Sequence, residues 1–205
     1  SNYVWSNGDQ GASTTVNQSG SYFVTVTNAA GCTTQSSLVN VTVNAVPVVA
    51  AINGANSVCE GGNMTLTSAT AGGVWTSANN FIATIDGAGN VTGLNAGSTT
   101  ITYTVSVNGC TASTVAQINI LNNPVTPTIT ASGATSLCPG GSVVLFASNA
   151  ANYQWSNGPQ TPFIVATQSG AYTVTATGLN GCSATSLPVN VFIGDNTAPV
   201  LTAPL

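Results

Sequence analysis

Residues 168–177 are Gln-Ser-Gly-Ala-Tyr-Thr-Val-Thr-Ala-Thr, and Asn180-Gly181-Cys182 follows after two further residues. Thr alternates with small apolar residues after Tyr172, and this period of two is typical of a half-buried strand. An Asn-Gly pair favours the tight turn that joins two antiparallel strands. The stretch therefore predicts a strand that ends in a hairpin turn, with Cys182 directly after the turn.

This stretch belongs to an internal repeat with an offset of 150 residues. Residues 18–27 carry the same pattern, and Asn2-Tyr3-Val4-Trp5-Ser6-Asn7-Gly8 matches Asn152-Tyr153-Gln154-Trp155-Ser156-Asn157-Gly158. Over residues 1–45 the two copies share 20 identical residues without a gap. Such self-similarity predicts that both copies fold in the same way.

The later copy has an upstream part that the first copy lacks. This part contains Cys138-Pro139-Gly140-Gly141, and a related segment, Cys59-Glu60-Gly61-Gly62, lies between the copies. The middle segment has its own Trp75 and closes on Asn108-Gly109-Cys110. The repeats predict the C-terminal half of a domain at 1–46, whole domains at 47–123 and 124–193, and a linker or the start of a next domain at 194–205.

Short alternating strands separated by Asn-Gly and Asp-Gly turns predict an all-β chain of small sandwich domains. No segment has a convincing helical pattern, because the Ala-rich pieces are short and interrupted by Gly. Tyr172 has the spacing of a tyrosine corner, in which the phenol of an immunoglobulin strand closes on the backbone a few residues upstream. Each predicted domain is small, so its hydrophobic core alone would give only marginal stability.

The five cysteines occupy regular places in the repeats, which favours disulfides and an oxidising compartment. Cys138 precedes a strand and Cys182 follows the next hairpin turn, and Cys59 and Cys110 hold the matching places in the middle segment. We therefore expect Cys59–Cys110 and Cys138–Cys182 bridges, each contributing about 4 kcal/mol in the chain-entropy model. We expect the partner of Cys32 to lie outside the chain.

The composition excludes most chemistry. The chain has no Lys, Arg or His, and its only acidic residues are Asp9, Glu60, Asp86 and Asp195. Nucleic-acid binding needs cations, acid–base catalysis draws on His, Lys or paired carboxylates, and zinc needs His or several thiolates. We expect no enzyme activity, no cofactor and no metal site. Asp195 beside Asn196 is the only seed for calcium, and a linker role explains it better. The chain contains no run of 18 apolar residues, so we expect no membrane insertion.

The aromatic side chains have two interpretations. Trp5, Trp75 and Trp155 are candidates for stacking on sugars, but they recur at one place in each repeat, which favours the sandwich core. The same argument places Tyr22 and Tyr172 in the core, since they match at the repeat offset. We therefore assign all five side chains to the core.

Several motifs resemble the Ig-like repeats of large secreted and surface adhesin-type proteins of Bacteroidota. These motifs are Cys138–Gly141, Tyr153–Gly158, Ser169–Val174 and Asn180–Cys182. The middle segment is similar to bacterial Ig-like group 2 domains through Ala83-Thr84-Ile85-Asp86 and Ala96-Gly97-Ser98-Thr99. The resemblance implies tandem Ig-like β-sandwich domains and export, often by the type IX secretion route. It also implies a place in surface fibres or gliding adhesins, and it carries over no catalytic residue.

These features predict a structural, non-enzymatic segment of a long extracellular surface fibre or adhesin. Its expected partners are neighbouring Ig-like domains or copies of the same chain. Two alternatives stay open. One is a carbohydrate-binding accessory module of a secreted protein, with surface glycans as ligands. The other is a pilus-like subunit whose half-domain at 1–46 is completed by a strand from another chain, in which case Cys32 would be a free thiol.

Overall fold

The computed structural model describes residues 1–148 and 150–194. Within these ranges the chain forms 23 strands and no helix, so the prediction of an all-β fold is confirmed. The chain divides into two compact units. The first contains Ser1–Ile52, Ser68–Val74 and Thr102–Val115, and the second contains Asn53–Thr67, Trp75–Ile101 and the chain from Ala116 onward.

Five short strands lie in residues 1–46, all within the first compact unit. They are β1 (Asn2–Trp5), β2 (Gly20–Tyr22), β3 (Val24–Thr27), β4 (Thr33–Gln35) and β5 (Val39–Val41). Strands β1, β3 and β4 form one antiparallel sheet in the order β1-β3-β4, and β2 pairs with β5 in a second. Every residue of these strands is exposed or half-buried, so this part of the chain has no fully buried core.

Nine strands follow between residues 47 and 123. They are β6 (Ile52–Asn53), β7 (Ser57–Cys59), β8 (Asn63–Thr65), β9 (Thr67–Ser68), β10 (Val74–Ser77), β11 (Ala83–Ile85), β12 (Asn90–Gly93), β13 (Gly97–Val107) and β14 (Cys110–Leu121). Their sheets have the orders β10-β13-β14-β7, β11-β12-β8 and β6-β9. The long β13–β14 hairpin turns at Asn108 and Gly109, whose φ angles of 50° and 82° suit the tight turn that an Asn-Gly pair favours.

Nine strands also lie in residues 124–194, within the second compact unit. They are β15 (Ile129–Ala131), β16 (Ser136–Leu137), β17 (Val143–Ala147), β18 (Asn152–Trp155), β19 (Phe163–Ala166), β20 (Gly170–Tyr172), β21 (Val174–Thr177), β22 (Ser183–Thr185) and β23 (Val189–Ile193). Their sheets have the orders β15-β17-β19, β16-β23-β20 and β18-β21-β22. Alternate residues of these strands enclose a core around Trp155, Leu145 and Val174.

The two copies of the repeat have the same local structure. Trp5 lies opposite Val24 in the β1–β3 pair, and Trp155 lies opposite Val174 in the β18–β21 pair. The Tyr172 hydroxyl donates a hydrogen bond of 2.9 Å to a backbone carbonyl oxygen four residues upstream, and the Tyr22 hydroxyl does the same. These bonds are the tyrosine corners that the spacing predicts.

Burial of the predicted core residues differs between the copies. Trp155 and Tyr172 are only 1% and 8% exposed, whereas Trp5, Tyr22 and the middle segment's Trp75 are half-buried. In the later copy, β17 and β19 supply buried residues to the same core as Trp155. Residues 13–16, the counterpart of β19, form no strand. The first Trp is therefore without the β19 strand that helps to cover the later one.

Candidate functional site

The described residues contain little reactive chemistry. Among them, no group of three or more His, Cys, Asp and Glu side chains is placed to hold a metal ion. Residues 1–148 and 150–194 form strands and loops only. They therefore contain no helix that could cross a membrane. Asp195 and Asn196, the weak calcium candidate, lie outside the described residues. The cysteines are thus the main reactive side chains to consider.

Cys59 and Cys182 form a disulfide, with their Cα atoms 5.7 Å apart and 123 residues between them in sequence. Cys32, Cys110 and Cys138 are free thiols. The predicted Cys59–Cys110 and Cys138–Cys182 bridges are therefore wrong. The external partner of Cys32 stays a prediction.

Backbone pairing explains which cysteines meet. Strand β7 lies parallel to the end of β14 and places Cys59 opposite Leu121, the last residue of that strand. Cys110 is the first residue of the same strand, so extended chain of roughly 35 Å separates it from Leu121. A disulfide needs Cα atoms closer than about 7 Å, which excludes the Cys59–Cys110 bridge.

Cys182 reaches the same place from the hairpin that follows β21. Its sulfur lies 3.9 Å from the Leu121 carbonyl oxygen, and the Asn180 side-chain amide donates a 2.8 Å hydrogen bond to the Asn122 carbonyl oxygen. Cys182 is only 1% exposed. The bridge therefore fastens this hairpin to the point where the chain leaves β14.

Glu60 stabilises the site where the chain leaves β14. Its place in the Cys-x-Gly-Gly motif did not indicate this role. One carboxylate oxygen accepts a 2.7 Å hydrogen bond from the Ala96 backbone N–H, and the other accepts a 3.4 Å bond from the Asn123 N–H. The Asn123 side-chain amide donates a 3.0 Å bond to the Glu60 carbonyl oxygen. A single carboxylate thus ties the β12–β13 loop to the residues that follow β14.

The other two described carboxylates stabilise turns. The pKa of Asp86 is lowered, first because the Asn90 side-chain amide donates to its carboxylate and then because backbone N–H groups do so. The pKa of Asp9 is lowered by hydrogen bonds from the Thr14 hydroxyl and the Asn7 side-chain amide. Both groups are exposed, and each accepts its hydrogen bonds from residues of its own turn.

An open groove of about 610 Å³ lies along β18 and β21. Asn152 faces Thr177 and Gln154 faces Thr175 across these strands, so amide and hydroxyl groups line the groove. Among the described residues, Tyr153 is the aromatic side chain in its lining, and the Tyr153 hydroxyl accepts a 2.9 Å hydrogen bond from the Ala150 N–H. Trp155 is buried in the core and is not available to stack on a sugar.

Comparison with known proteins identifies one segment of the chain. Residues 43–115 match the bacterial Ig-like domain (group 2) family. This match and the all-strand structure confirm the prediction of an Ig-like all-β fold. The Ig-like segment contains Cys59, Trp75 and Cys110 but ends before Cys182, so its one bridged cysteine is bonded to a residue beyond the matched segment.

The solved structures that match this chain have low sequence identity to it. Domains 1–6 of the surface layer protein SbsC are 17% identical, over 96% of this chain and 35% of that chain, with a TM-score of 0.34. Murine CEACAM1b is 15% identical over 70% and 98% of the two chains, with a TM-score of 0.31. Fibronectin(III)-like modules of Clostridium thermocellum CbhA are 12% identical over 74% and 100%, with a TM-score of 0.30. A search of curated proteins gave no significant match.

Proposed function

We propose that this chain is a structural, non-enzymatic segment of an extracellular surface protein built from consecutive Ig-like repeats. The repeats are those expected from the sequence, at 1–46, 47–123 and 124–193, with 194–205 leading into a further domain. The Cys59–Cys182 bridge carries the proposal, because it bonds residues that belong to two different repeats of this division. Structural disulfides form and persist in oxidising compartments, which supports an extracellular location.

The composition supports the same role. A chain without Lys or Arg offers no cleavage site to trypsin-like proteases, and one with four acidic residues has almost no charge for salt to screen. Such a surface suits a passive, exposed structural element. The resemblance to Bacteroidota surface repeats supports a fibre or gliding adhesin exported by the type IX route.

Neighbouring Ig-like domains, or copies of the same chain, are the partners that we propose. Leu38 and Val39 in the half-repeat at 1–46 are 63% and 59% exposed, so they offer apolar surface to such a partner. A segment like residues 124–150 would supply the strands that the half-repeat lacks, since those residues precede the later copy at the same offset.

The proposal is tested on intact cells of the source organism with an antibody against residues 1–205. We expect labelling without permeabilisation, and we expect electron microscopy to show the label along surface fibres. An antibody against a cytoplasmic protein serves as the control and should label only permeabilised cells. Labelling of this chain only after permeabilisation would overturn the extracellular role.

The groove along β18 and β21 keeps a carbohydrate-binding function as the second candidate. A glycan array probed with the whole chain tests it, with Gln154→Ala as the variant that changes the groove lining. Binding that is lost in this variant would favour the accessory-module function over a purely structural one. We expect no binding, because Trp155 is buried and Tyr153, the aromatic residue in the groove lining, packs against the core.

A further inference from the structure

The bridge between Cys59 and Cys182 joins two kinds of cysteine that recur along the chain. Cys59 and Cys138 each begin a Cys-x-Gly-Gly sequence at the end of a short strand, and we call them edge cysteines. Cys32, Cys110 and Cys182 each follow a Gly in a hairpin turn, and we call them hairpin cysteines. The one disulfide therefore bonds an edge cysteine to a hairpin cysteine.

The two edge cysteines have equivalent surroundings. Strand β7 pairs in parallel with the end of β14, and β16 pairs in parallel with the end of β23. In each, the second Gly of the motif donates a 2.9 Å hydrogen bond to the cysteine carbonyl oxygen. Continuing the register by one residue places Cys138 beside Gly194, just as Cys59 lies beside Leu121. Both edge cysteines thus stand where the chain leaves the last strand of a repeat.

Two of the hairpin cysteines also have equivalent surroundings. The Cys182 sulfur lies 3.9 Å from the Leu121 carbonyl oxygen, and the Cys110 sulfur lies 3.6 Å from the Asn44 carbonyl oxygen. Leu121 and Asn44 hold the same place, since each is three residues before a Pro. A side-chain amide also links each hairpin to the departing chain, from Asn180 to the Asn122 carbonyl oxygen and from Asn44 to the Asn108 carbonyl oxygen.

We call the point where the chain leaves the last strand of a repeat an exit. The three exits, at Asn44, Leu121 and Gly194, differ in which cysteines they hold. The exit at Leu121 has an edge cysteine and a hairpin cysteine, and they are bonded. The exit at Asn44 has the hairpin cysteine Cys110 without an edge cysteine beside it. The exit at Gly194 has the edge cysteine Cys138 without a hairpin cysteine. Each free thiol stands in the place that one half of the Cys59–Cys182 bridge occupies.

We propose that Cys110 and Cys138 are sites of the same cross-link, each made to the complementary cysteine of an adjoining Ig-like repeat. Cys110 takes an edge cysteine of the repeat before it, and Cys138 takes a hairpin cysteine of the repeat after it. By the same rule, the partner of Cys32 belongs to the repeat before its own. The inference rests on the proposed function, because it requires repeats on both sides of this chain.

The chemistry of each cross-link is an ordinary thiol oxidation. Two thiols lose two protons and two electrons, one S–S bond forms, and a disulfide oxidant such as oxidised glutathione is reduced to two thiols. One bond at every exit would fasten each repeat covalently to both neighbours. Because the Cys59–Cys182 bond joins residues 123 positions apart, bonds of this kind would limit how far the chain extends when a repeat unfolds under tension.

The first test completes the half-repeat at 1–46. A second copy of residues 124–150 is placed directly before Ser1, which reproduces the order of the later repeat. The original Cys138 is replaced (Cys138→Ser), so that the added cysteine is the only unbonded one of its kind. The chain is refolded with reduced and oxidised glutathione and mapped by non-reducing peptide mass spectrometry. We expect the added cysteine bonded to Cys110 in most molecules.

Matched variants distinguish the possible partners. Cys110→Ser should leave the added cysteine as a free thiol, whereas Cys32→Ser should leave its bond intact. An added cysteine bonded to Cys32, or unbonded while Cys59–Cys182 has formed in the same molecules, would overturn the proposal. The Cys59–Cys182 bond thus reports whether the chain has reached the folded structure in which these two cysteines meet.

A second extension covers the case in which the first does not fold. A second copy of residues 122–194 follows Gly194, with the original Cys59 and Cys182 replaced by Ser and the added Cys138 also replaced. We expect the original Cys138 bonded to the added Cys182. Far-UV circular dichroism reports folding here, because the Cys59–Cys182 bond is absent, and a free Cys138 in the folded chain would overturn the proposal. Neither extension depends on where the natural protein resides. Surface labelling with failed cross-links would reject the cross-links and leave the proposed function standing.

Discussion

Replacing both Cys59 and Cys182 by Ser is expected to lower the stability of the second compact unit substantially. The disulfide closes a loop of 123 residues. In the chain-entropy model a loop of this length removes about 16 cal/mol/K from the unfolded state, or about 5 kcal/mol at 25 °C. Measured losses for native disulfides run from about 2 to 5 kcal/mol. We therefore expect a loss within that range, with the double variant avoiding a lone buried thiol.

The measurement is unfolding by guanidinium chloride, followed by tryptophan emission, of the oxidised chain and the variant. Cys138→Ser is the matched control, because it makes the same change at an exposed, unbonded cysteine and should alter stability by less than about 0.5 kcal/mol. The unmodified chain in excess dithiol should unfold like the double variant. Equal midpoints for the oxidised chain and the double variant would refute the reasoning, since the loop would then impose no constraint on the unfolded state.

Three further predictions concern the core, the turns and the surface. Trp155→Ala should lower the free energy of unfolding by about 3–5 kcal/mol, and Trp5→Ala by clearly less, because only Trp155 is fully buried; equal losses in denaturant titrations would contradict this. Asp86 has a pKa lowered from 3.8, so its ionised form stabilises the fold above that pH, and this contribution is lost as the pH falls through the lower folded value. Thermal melts between about pH 6 and pH 2 should show a smaller acid loss for Asp86→Ala than for the unmodified chain, and an identical loss would count against the Asn90 contacts. Any association between chains should barely change between about 50 mM and 1 M NaCl, as sedimentation can measure, because there is almost no charge to screen; dissociation at high salt would point to charged partners.

The sequence predicted most of the local structure because local structure follows from short-range rules. Alternation of Thr with apolar residues and the Asn-Gly turns gave strands without a helix in the described ranges, and the 150-residue offset gave two copies with the same tyrosine corner. These features depend on residues a few positions apart. The offset also predicted a half-repeat at 1–46.

The disulfide pairing was decided only by the tertiary structure. The spacing made Cys59–Cys110 and Cys138–Cys182 look equivalent, because each pair lies within one predicted repeat. The structure instead pairs Cys59 with the last residue of β14, at the opposite end of the strand from Cys110, and brings Cys182 to the same point. Strand pairing between distant segments fixes which thiols come within bonding distance, and spacing along the chain does not report it.

Burial was likewise decided by the tertiary structure. Trp5 and Trp155 hold equivalent positions in the two copies of the repeat, and each lies opposite a Val of the paired strand. Each indole N–H donates a 2.9 Å hydrogen bond to a carbonyl oxygen six residues downstream. Only Trp155 is covered by the sheet that contains β17 and β19. The local sequence determined the strand pairing and the indole hydrogen bond of each tryptophan. The opposing sheet determined whether the side chain became buried, because burial requires a second surface that the local sequence does not contain.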